Sequence, residues 1–513
     1  MSDFKIIKKG LFKATINITI LSFIGIVFGF ISQLIIAYYF GVSLERDAYF
    51  AAIVVPTYIM SIITGSIGFV FLPKVIELRN DDNQDYRRFI NIVFVNIALV
   101  LLGLIFLGIF FSENILRFTA PGLNNETMGY TKNIYIILLL SSFFNVFTSL
   151  ISSLYQINNK FIRPAIAPLL TTLFSIMFVL ILNSKIGIMS LAIGYLVGSL
   201  ISLLIVLPIL FTKEFRFNFY IDIFNVHFVS ILKVSSPLIL GGILFRSAPL
   251  LERMIASTLP SGSISILGYS SHLIATLGTI ATSGIIVSFF PSMSDAWTKD
   301  LKLFNKYINK GLRSVLLLTI PIAFTFVLFG DTIIKILLQR GEFTQEDTSA
   351  VSETFALMTP AFIMLCLGGI TSKIYYISKR TLELTIISSF ELICYFFLSY
   401  FLSQKFGYTG IAISTSIVYS FFMIIYIFYA TRFILEEFNY KIIMLDALKI
   451  TFISLFSFVA GKLLFEFNIN YINEYFNLIL SLILSATLYL FILKKIKNDE
   501  ILYLIELYKK KVK

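Results

Sequence analysis

The sequence has few charges, little histidine and almost no cysteine or tryptophan. Charged residues make up 14% of its 513 positions, and there are two histidines, two cysteines and one tryptophan. Both cysteines, Cys366 and Cys394, lie in apolar runs, which indicates neither a disulfide framework nor a metal site. No cofactor is expected. The low charge also excludes an ordinary soluble domain, in which about 25% of residues are charged.

Apolar residues fill the chain instead. They account for 58% of it and give a mean hydropathy of +0.89. Apolar runs of around 20 residues recur along the whole length, and each is long enough to cross a hydrocarbon core about 30 Å thick. The first run, 14–40, is too long for a signal-peptide core and is followed by no small-residue cleavage site. The sequence therefore predicts an all-α polytopic membrane protein.

Fourteen transmembrane spans are predicted from the breaks between apolar runs. They are 14–40, 48–73, 89–111, 132–155, 161–183, 186–211, 231–257, 266–290, 312–329, 351–377, 381–403, 408–430, 446–466 and 472–493. The longest outer loops, 112–131 and 330–350, carry no His/Asp/Ser constellation. The sequence therefore favours a transport protein over an enzyme.

Lysine and arginine concentrate on one side of the predicted membrane. The segments on the side of both termini hold 30 of them, the opposite loops hold seven, and four lie inside spans. This bias predicts that the N-terminal segment 1–13 and the basic tail 494–513 are cytoplasmic. Because the same bias explains the net charge of +12, no nucleic-acid partner is expected.

The chain contains an internal repeat at an offset of about 220 residues. The offset pairs Tyr155 with Tyr375, Gly187 with Gly407, Leu191-Ala192-Ile193 with Ile411-Ala412-Ile413, and Gln33 with Arg253. Six spans, an even number, make up each copy, so both copies face the same way. The repeat predicts an N-lobe at 14–211 and a parallel C-lobe at 231–430, each of six helices. The spans within 446–493 are an added C-terminal pair.

Three charged residues stand out in the span 231–257. Arg246 lies near the middle of the membrane, and Arg253 lies seven positions on, nearly on the same helix face. A charge near the bilayer centre costs at least a few kcal/mol, so both arginines are expected to line a cleft between the lobes. The alternative is an internal ion pair, in which Glu252 neutralises one arginine and braces the helices.

Four further residues are candidates for function. His272, in the next span, is either a titratable or anion-contacting group or a hydrogen-bonded part of the bundle. Glu391, in the middle of span 381–403, could serve as a counter-ion or as a proton site for ion coupling. Arg46 and Asp47 lie in the outer loop 40–50. Asp47 either caps the second helix or belongs with Arg46 to an external gate.

The order of several motifs is that of a known family. FGVSLERDAYF (40–50), TAPGL (119–123), SGSIS (261–265) and LLQRGEFT (337–344) resemble the MviN/MurJ-type lipid flippases. These belong to the multidrug/oligosaccharidyl-lipid/polysaccharide exporter superfamily. The resemblance runs over roughly 14–380 and implies two six-helix lobes around a cationic cavity. It also implies that 446–493 forms a groove for a polyprenyl tail, and that the chain lies in a bacterial cytoplasmic (inner) membrane.

The resemblance implies a polyprenyl-pyrophosphate-linked glycan as substrate, typically the peptidoglycan precursor lipid II. Asp47 matches the family's acidic residue after the first helix, and Glu252-Arg253 matches its acidic-Arg pair. The family's arginines in the first two helices are absent here, and His272 stands where the family has arginine. A related surface-polysaccharide intermediate is therefore an alternative substrate.

The expected function is flipping of this lipid from the cytoplasmic to the outer leaflet by alternating access. Arg246, Glu252, Arg253 and His272 would bind the head group, and Asp47 and Arg46 would form the gate. Membrane lipids, and a coupling ion at Glu391, are the other expected partners. Two alternatives remain open: a cation-coupled multidrug or metabolite exporter of the same superfamily, and a non-transporting membrane scaffold for glycan synthesis.

Overall fold

A computed structural model gives the fold of the chain. It describes residues 21, 23–80, 85–435, 438, 440–468 and 472–496, and no strand occurs among them. The predicted N-terminal segment 1–13 and the tail from residue 497 onward lie outside these residues. The all-helical class predicted from the sequence is confirmed.

Fifteen α-helices and one 3-10 helix make up the described part of the chain. They are α1 (Phe23–Phe40), α2 (Leu44–Asn80), α3 (Asp85–Phe110), α4 (Ser112–Thr119), α5 (Asn125–Ile157), α6 (Ile162–Ile186), α7 (Met189–Val206), the 3-10 helix (Leu207–Phe211), α8 (Val226–Phe245), α9 (Ala248–Ala256), α10 (Ser263–Lys299), α11 (Leu301–Leu338), α12 (Gln345–Ile377), α13 (Thr381–Phe433), α14 (Tyr440–Asn468) and α15 (Glu474–Lys495).

The helices account for the predicted fourteen membrane passages. Twelve of the helices described are long and apolar enough to cross a membrane. A thirteenth passage consists of two parts, Val226–Ser236 and Ile239–Ala256, which meet at an angle of 43°. Helix α13 changes direction at Gly407, whose φ of 60° and ψ of −139° are not helical. When its two halves are counted separately, the total is fourteen.

Several helices extend beyond the predicted spans. Helix α2 has 37 residues and α11 has 38, so each is about 55 Å long at 1.5 Å per residue. The hydrocarbon core measures only about 30 Å, so these helices project out of it. The predicted span 312–329 stopped at charged residues, but a charge on a projecting turn is hydrated and does not end the helix. The loop predicted at 112–131 also contains the short helix α4.

The chain divides into two compact units. Unit 1 comprises residues 1–265 and 340–343, and unit 2 comprises residues 266–339 and 344–513. The division falls inside α10 rather than between the predicted lobes at 14–211 and 231–430. The lobes and the separate role of 446–493 remain predictions.

Unit 1 is built on close helix contacts. Helix α6 packs on α7 at Gly194 and Gly198, where an added Cβ would lie 2.8 Å from the carbonyl oxygen of Phe174 and 2.7 Å from the Cα of Thr171. Glycine at both positions therefore lets the two backbones approach. The hydroxyl groups of Thr171 and Ser202 lie 2.9 Å apart across the same contact.

In unit 2, the C-terminal helix pair is attached to α11. Asp446 of α14 forms an ion pair with Arg313 at 2.6 Å, and Glu474 of α15 forms one with Lys335 at 2.7 Å. These ion pairs lie near opposite ends of α11. The Tyr489 hydroxyl also donates a hydrogen bond to a backbone carbonyl of α11 at 2.9 Å. The added pair therefore packs on the bundle through polar as well as apolar contacts.

Candidate functional site

Four short segments that are distant in sequence meet at one place in unit 1. They are residues 38–50, 119–122, 252–265 and 340–343, and together we call them the motif cluster. Each segment contains one of the motifs on which the family resemblance depends. The motifs are therefore neighbours in the fold.

Glycines let the backbones of the cluster touch. The Glu342 N–H donates a hydrogen bond to the carbonyl oxygen of Tyr38 at 2.9 Å. Gly41 and Gly341 have φ angles of +49° and +59°, which favour glycine, and a side chain on either would collide with backbone atoms of the facing segment. A side chain on Gly122 would likewise collide with the backbone of residue 257.

Asp47 connects the start of α2 to the segment that leads into α10. Its carboxylate accepts hydrogen bonds from the Gly262 N–H at 2.6 Å, the Ser265 N–H at 2.7 Å and the Ser265 hydroxyl at 2.5 Å. Ser43, rather than Asp47, caps α2, because the Ser43 hydroxyl accepts the Arg46 N–H at 3.2 Å. The carboxylate of Asp47, whose residue is 5% exposed, is therefore used entirely in this connection.

Arg253 holds the same segment from α9. Its Nη1 atom lies 3.0 Å from the Glu252 carboxylate and donates a hydrogen bond to the Ile264 carbonyl oxygen at 3.0 Å. Arg253 and Glu252 are each 7% exposed. The ion pair that the sequence offered as an alternative to a cavity role is thus present, and it is buried.

Arg46 completes the cluster from the first turn of α2. It is 1% exposed, and its Nη2 atom donates a hydrogen bond to the Gln33 side chain at 3.2 Å. The ring of Phe50 lies 4.0 Å from the Arg46 guanidinium carbon and 5.1 Å from that of Arg253. Each guanidinium is therefore within cation–π distance of the same ring.

Arg246 has different surroundings, at the break between α8 and α9. Its φ of −107° and ψ of 5° end α8, and its side chain is exposed. The guanidinium lies beside Gly65 of α2, where an added Cβ would be 3.1 Å from Nη2. Within the described ranges it forms no ion pair. Tyr58 holds the break to α2, because its hydroxyl donates to the Ile243 carbonyl oxygen at 2.8 Å.

The two remaining candidates belong to unit 2. His272 is half-buried on α10. Glu391 on α13 accepts a hydrogen bond from the Tyr426 hydroxyl at 2.8 Å, and the backbone carbonyl of Tyr426 accepts one from the Tyr375 hydroxyl at 2.7 Å. Across the described residues, no group of three His, Cys, Asp or Glu side chains could hold a metal ion.

The structure thus brings together four of the seven predicted residues: Arg46, Asp47, Glu252 and Arg253. Sequence reasoning missed Phe50 in the cluster, Gln33 as the partner of Arg46, Gly65 beside Arg246, and Tyr426 beside Glu391. Phe50 had a signal, because it follows Arg46 by four positions and so shares its helix face. The others depend on contacts between distant segments.

Fourteen apolar passages, a buried charged cluster where four motifs meet, and an exposed arginine at a helix break are the features of a multi-pass membrane transport protein. A family model described as "Lipid II flippase MurJ" matches residues 36–485. The chain belongs to the lipid II flippase MurJ family, so the family named from the motifs is confirmed. It is thereby placed among flippases of lipid-linked precursors.

Relatives and solved structures agree with this placement. The chain is 27% identical to the probable lipid II flippase MurJ of Buchnera aphidicola over 79% of this chain and 81% of that protein. It is 25% identical to the lipid II flippase MurJ of Thermosipho africanus, over 79% and 82% respectively. A solved structure titled "Lipid II flippase MurJ, inward closed conformation" superposes with a TM-score of 0.82 at 25% identity, covering 95% of this chain and 100% of that one.

A more distant solved structure shares the fold alone. It is an inward-facing multidrug resistance MATE family transporter of the MOP superfamily, with a TM-score of 0.67 at 14% identity, covering 81% of this chain and 97% of that one.

Proposed function

We propose that this chain moves a polyprenyl-pyrophosphate-linked glycan precursor from the cytoplasmic to the outer leaflet by alternating access. The substrate is lipid II or a closely related surface-polysaccharide intermediate. Membership of the family supports the class of substrate. The observation that carries the proposal for this chain is the exposed Arg246 guanidinium, which forms no ion pair with any residue in the described ranges.

Arg246 has the chemistry that a pyrophosphate requires. A guanidinium stays charged at every physiological pH and can form two parallel hydrogen bonds to phosphate oxygens. Gly65 leaves its face open, and Arg246 is the residue that caps the C-terminus of α8, at the break in the helix. The polyprenyl tail can stay in the lipid while only the head group reaches Arg246.

The motif cluster is proposed to be the external gate in its closed form. The predicted orientation puts all four of its segments on the outer side. Asp47 and Arg253 both hold the 262–265 segment, so their release would open this end of the pathway. Arg253 and Glu252 are buried in the closed gate, and on this proposal they meet the head group only after it opens. His272 is proposed to contact the head group near the same outer end.

Glu391 is proposed to couple transport to an ion or proton gradient. It is a carboxylic acid in the middle of a membrane-spanning helix, and the Tyr426 hydroxyl is its hydrogen-bond donor. Intramembrane acids are costly and are commonly kept for proton or ion pathways. Glu391→Gln should then slow gradient-driven flipping while binding stays unchanged. Glu383→Gln, at the start of the same helix, where Glu383 is half-buried and paired with Arg380, should change neither.

Mass spectrometry of lipids that co-purify with the protein tests the substrate. The proposal predicts a polyprenyl-pyrophosphate carrying a glycan, and the mass of that glycan distinguishes lipid II from a surface-polysaccharide intermediate. If no such lipid co-purifies and organic cations bind more tightly than a lipid-linked pyrophosphate, the exporter alternative is correct. A scaffold would keep its activity in cells when the motif cluster is locked by an engineered disulfide, whereas a flippase would lose it.

A further inference from the structure

The connection between the 3-10 helix and α8 is unlike an ordinary cytoplasmic loop. Residues 212–225, which we call the strap, read TKEFRFNFYIDIFN. Apolar residues alternate along the strap at positions 215, 217, 219, 221 and 223, and residues 216–222 form neither helix nor turn. Strict alternation is typical of an extended segment with one apolar face.

The backbone of the strap is held along α3 by side chains. Donors on α3 meet strap carbonyl oxygens in order along the helix: Tyr86 hydroxyl and Arg87 Nε to Glu214 at 3.0 and 2.9 Å, Asn91 Nδ2 to Arg216 at 3.4 Å, and Asn96 Nδ2 to Asp222 at 3.0 Å. The strap therefore runs beside α3 from the end of that helix towards its middle.

Burial along α3 changes where the strap ends. All side chains in 89–97 are at most 3% exposed, although this is an apolar helix at membrane depth. Beyond that stretch the helix becomes open, with Val100 at 56% and Phe106 at 69% exposed. Phe215 of the strap and Phe228 of α8 belong to the core that encloses the buried half. The strap occupies the place that lipid takes around the outer half.

The outward face of the strap is apolar and open. Phe219 is 68% exposed, Ile221 57% and Ile223 54%. Exposed apolar residues also lie on α8, among them Val234. Apolar surface of this extent is unfavourable in water and marks contact with a protein or a membrane.

Helix geometry puts this face at hydrocarbon depth. Asn96 and Phe110 are about 21 Å apart along α3 at 1.5 Å per residue, and α3 ends at Phe110. The predicted span 89–111 places Phe110 at one boundary of the hydrocarbon core. Because the core is about 30 Å thick, Asn96 then lies roughly 9 Å inside the opposite boundary. The strap residue bonded to Asn96 lies at the same depth. Lys213 and Arg216, nearer the start of the strap, lie close to the head groups.

We propose that the strap is a non-helical, membrane-embedded segment whose apolar face contacts the acyl chains of the cytoplasmic leaflet. Non-helical backbone is tolerated at this depth only where other groups satisfy its polar atoms, and the α3 side chains do so. Lipid is chosen over a protein partner because the predicted span 89–111 puts Asn96, and the strap bonded to it, at the depth of the acyl chains. The link between α7 and α8 is thus part of the wall of the transporter and not a free linker.

Tryptophan fluorescence tests this directly, because Trp297 is the only tryptophan in the chain. In a W297F background, F219W and I223W would be placed in bilayers with brominated acyl chains and, separately, exposed to aqueous iodide. The matched controls are F106W, on the open half of α3, and K302W, on the exposed first turn of α11.

The proposal predicts that both strap variants lose fluorescence to brominated lipid as F106W does and keep it in iodide. Quenching by iodide as strong as that of K302W, without an effect of brominated lipid, would show a water-exposed loop and overturn the proposal. Protection from both quenchers would also overturn it, because a protein, such as a second copy of the chain, would then cover the face.

A second variant tests the role of α3. Asn96→Leu in the F219W background removes a donor to the strap carbonyls. The strap should then move towards water to hydrate its backbone, so the emission maximum should shift to longer wavelength and iodide quenching should rise. An unchanged spectrum would contradict the claim that the α3 side chains hold the strap at depth.

Discussion

Arg246 and Arg253 lie seven residues apart on one predicted span, and the structure gives them opposite surroundings. Arg253 is 7% exposed, pairs with Glu252 and donates to a backbone carbonyl. Arg246 lies exposed at a helix break, against a glycine. Arg253 is therefore bound to groups of its own protein, whereas the exposed Arg246 is proposed to bind a ligand.

The difference shows that a charge inside a membrane span does not define a single role. A buried charge with all its partners inside the protein fixes the conformation, and its removal leaves another charge unpaired. An exposed guanidinium that has no internal acid as its partner can pair with an anion instead. We therefore expect changes in the motif cluster to act on gating and stability, and changes around Arg246 to act on binding.

The largest effect is expected at Asp47. Asp47→Leu removes the acceptor for two backbone N–H groups and one hydroxyl, each of which costs about 1–3 kcal/mol when buried without a partner. Flipping of a lipid-linked precursor in proteoliposomes should be lost. Asp47→Asn keeps one acceptor oxygen and should be intermediate. Glu45→Leu, an exposed acid two positions earlier, is the control and should flip normally. Normal flipping by Asp47→Leu would rule out the gate.

Arg253→Leu should mainly destabilise the protein. Breaking a buried pair from one side costs about 3–5 kcal/mol, because Glu252 loses its buried counter-charge. Thermal unfolding in detergent should show this loss, and the double variant Glu252→Gln/Arg253→Leu should recover much of it. Arg117→Leu, which breaks an exposed pair with Glu113, should cost only about 0.3–0.5 kcal/mol. Equal losses in the two arginine variants would contradict the contrast drawn here.

A side chain at Gly65 should reduce binding without unfolding the protein. Valine there would press on the Arg246 guanidinium, since even its Cβ would lie 3.1 Å from Nη2. Displacement that costs about 1 kcal/mol would weaken binding of a lipid-linked pyrophosphate about fivefold. Gly68→Val, one turn on, meets nothing within 4 Å and serves as the control. Equal affinity in the two variants would place the head group elsewhere.

The smallest effect is expected at Tyr58. Tyr58→Phe removes the hydrogen bond that holds the α8–α9 break to α2, which is worth about 1 kcal/mol of unfolding free energy. Binding should change little, because the guanidinium itself is untouched. Tyr475→Phe, on the exposed first turn of α15, should leave the unfolding free energy unchanged. A larger loss of binding than of stability would show that the hydroxyl itself contacts the ligand.

The all-helical fold was largely predictable from the sequence, because the length of the apolar runs follows from the thickness of the bilayer. The fourteen passages agreed with the structure on that basis, whereas the family was recognised from its motifs. The limits of the helices were not predictable, because α2 and α11 are longer than the hydrocarbon core and carry charged residues on their projecting ends. The break at Arg246 did have a local signal, because Pro249 in the first turn of α9 has no N–H for a continuous helical ladder.

The site was predictable residue by residue but not in its arrangement. Asp47, Glu252 and Arg253 were identified, yet their partners lie in other segments. Asp47 binds residues more than 200 positions away. Sequence spacing carries information about neighbours on one helix and very little about such contacts. For this reason the sequence grouped Arg246 with Arg253, and the structure separates them.

The most direct test of the account is the affinity of Arg246→Ala for a polyprenyl-pyrophosphate-linked glycan in nanodiscs, measured beside Arg246→Lys and Arg117→Ala. Loss of a charge-assisted hydrogen bond worth about 1.5–3 kcal/mol predicts binding weakened by roughly tenfold or more in Arg246→Ala, with the unfolding temperature unchanged. Lysine should restore part of the affinity, and Arg117→Ala should bind as the unaltered protein does. Unchanged affinity in Arg246→Ala would contradict the central claim that this guanidinium binds the head group.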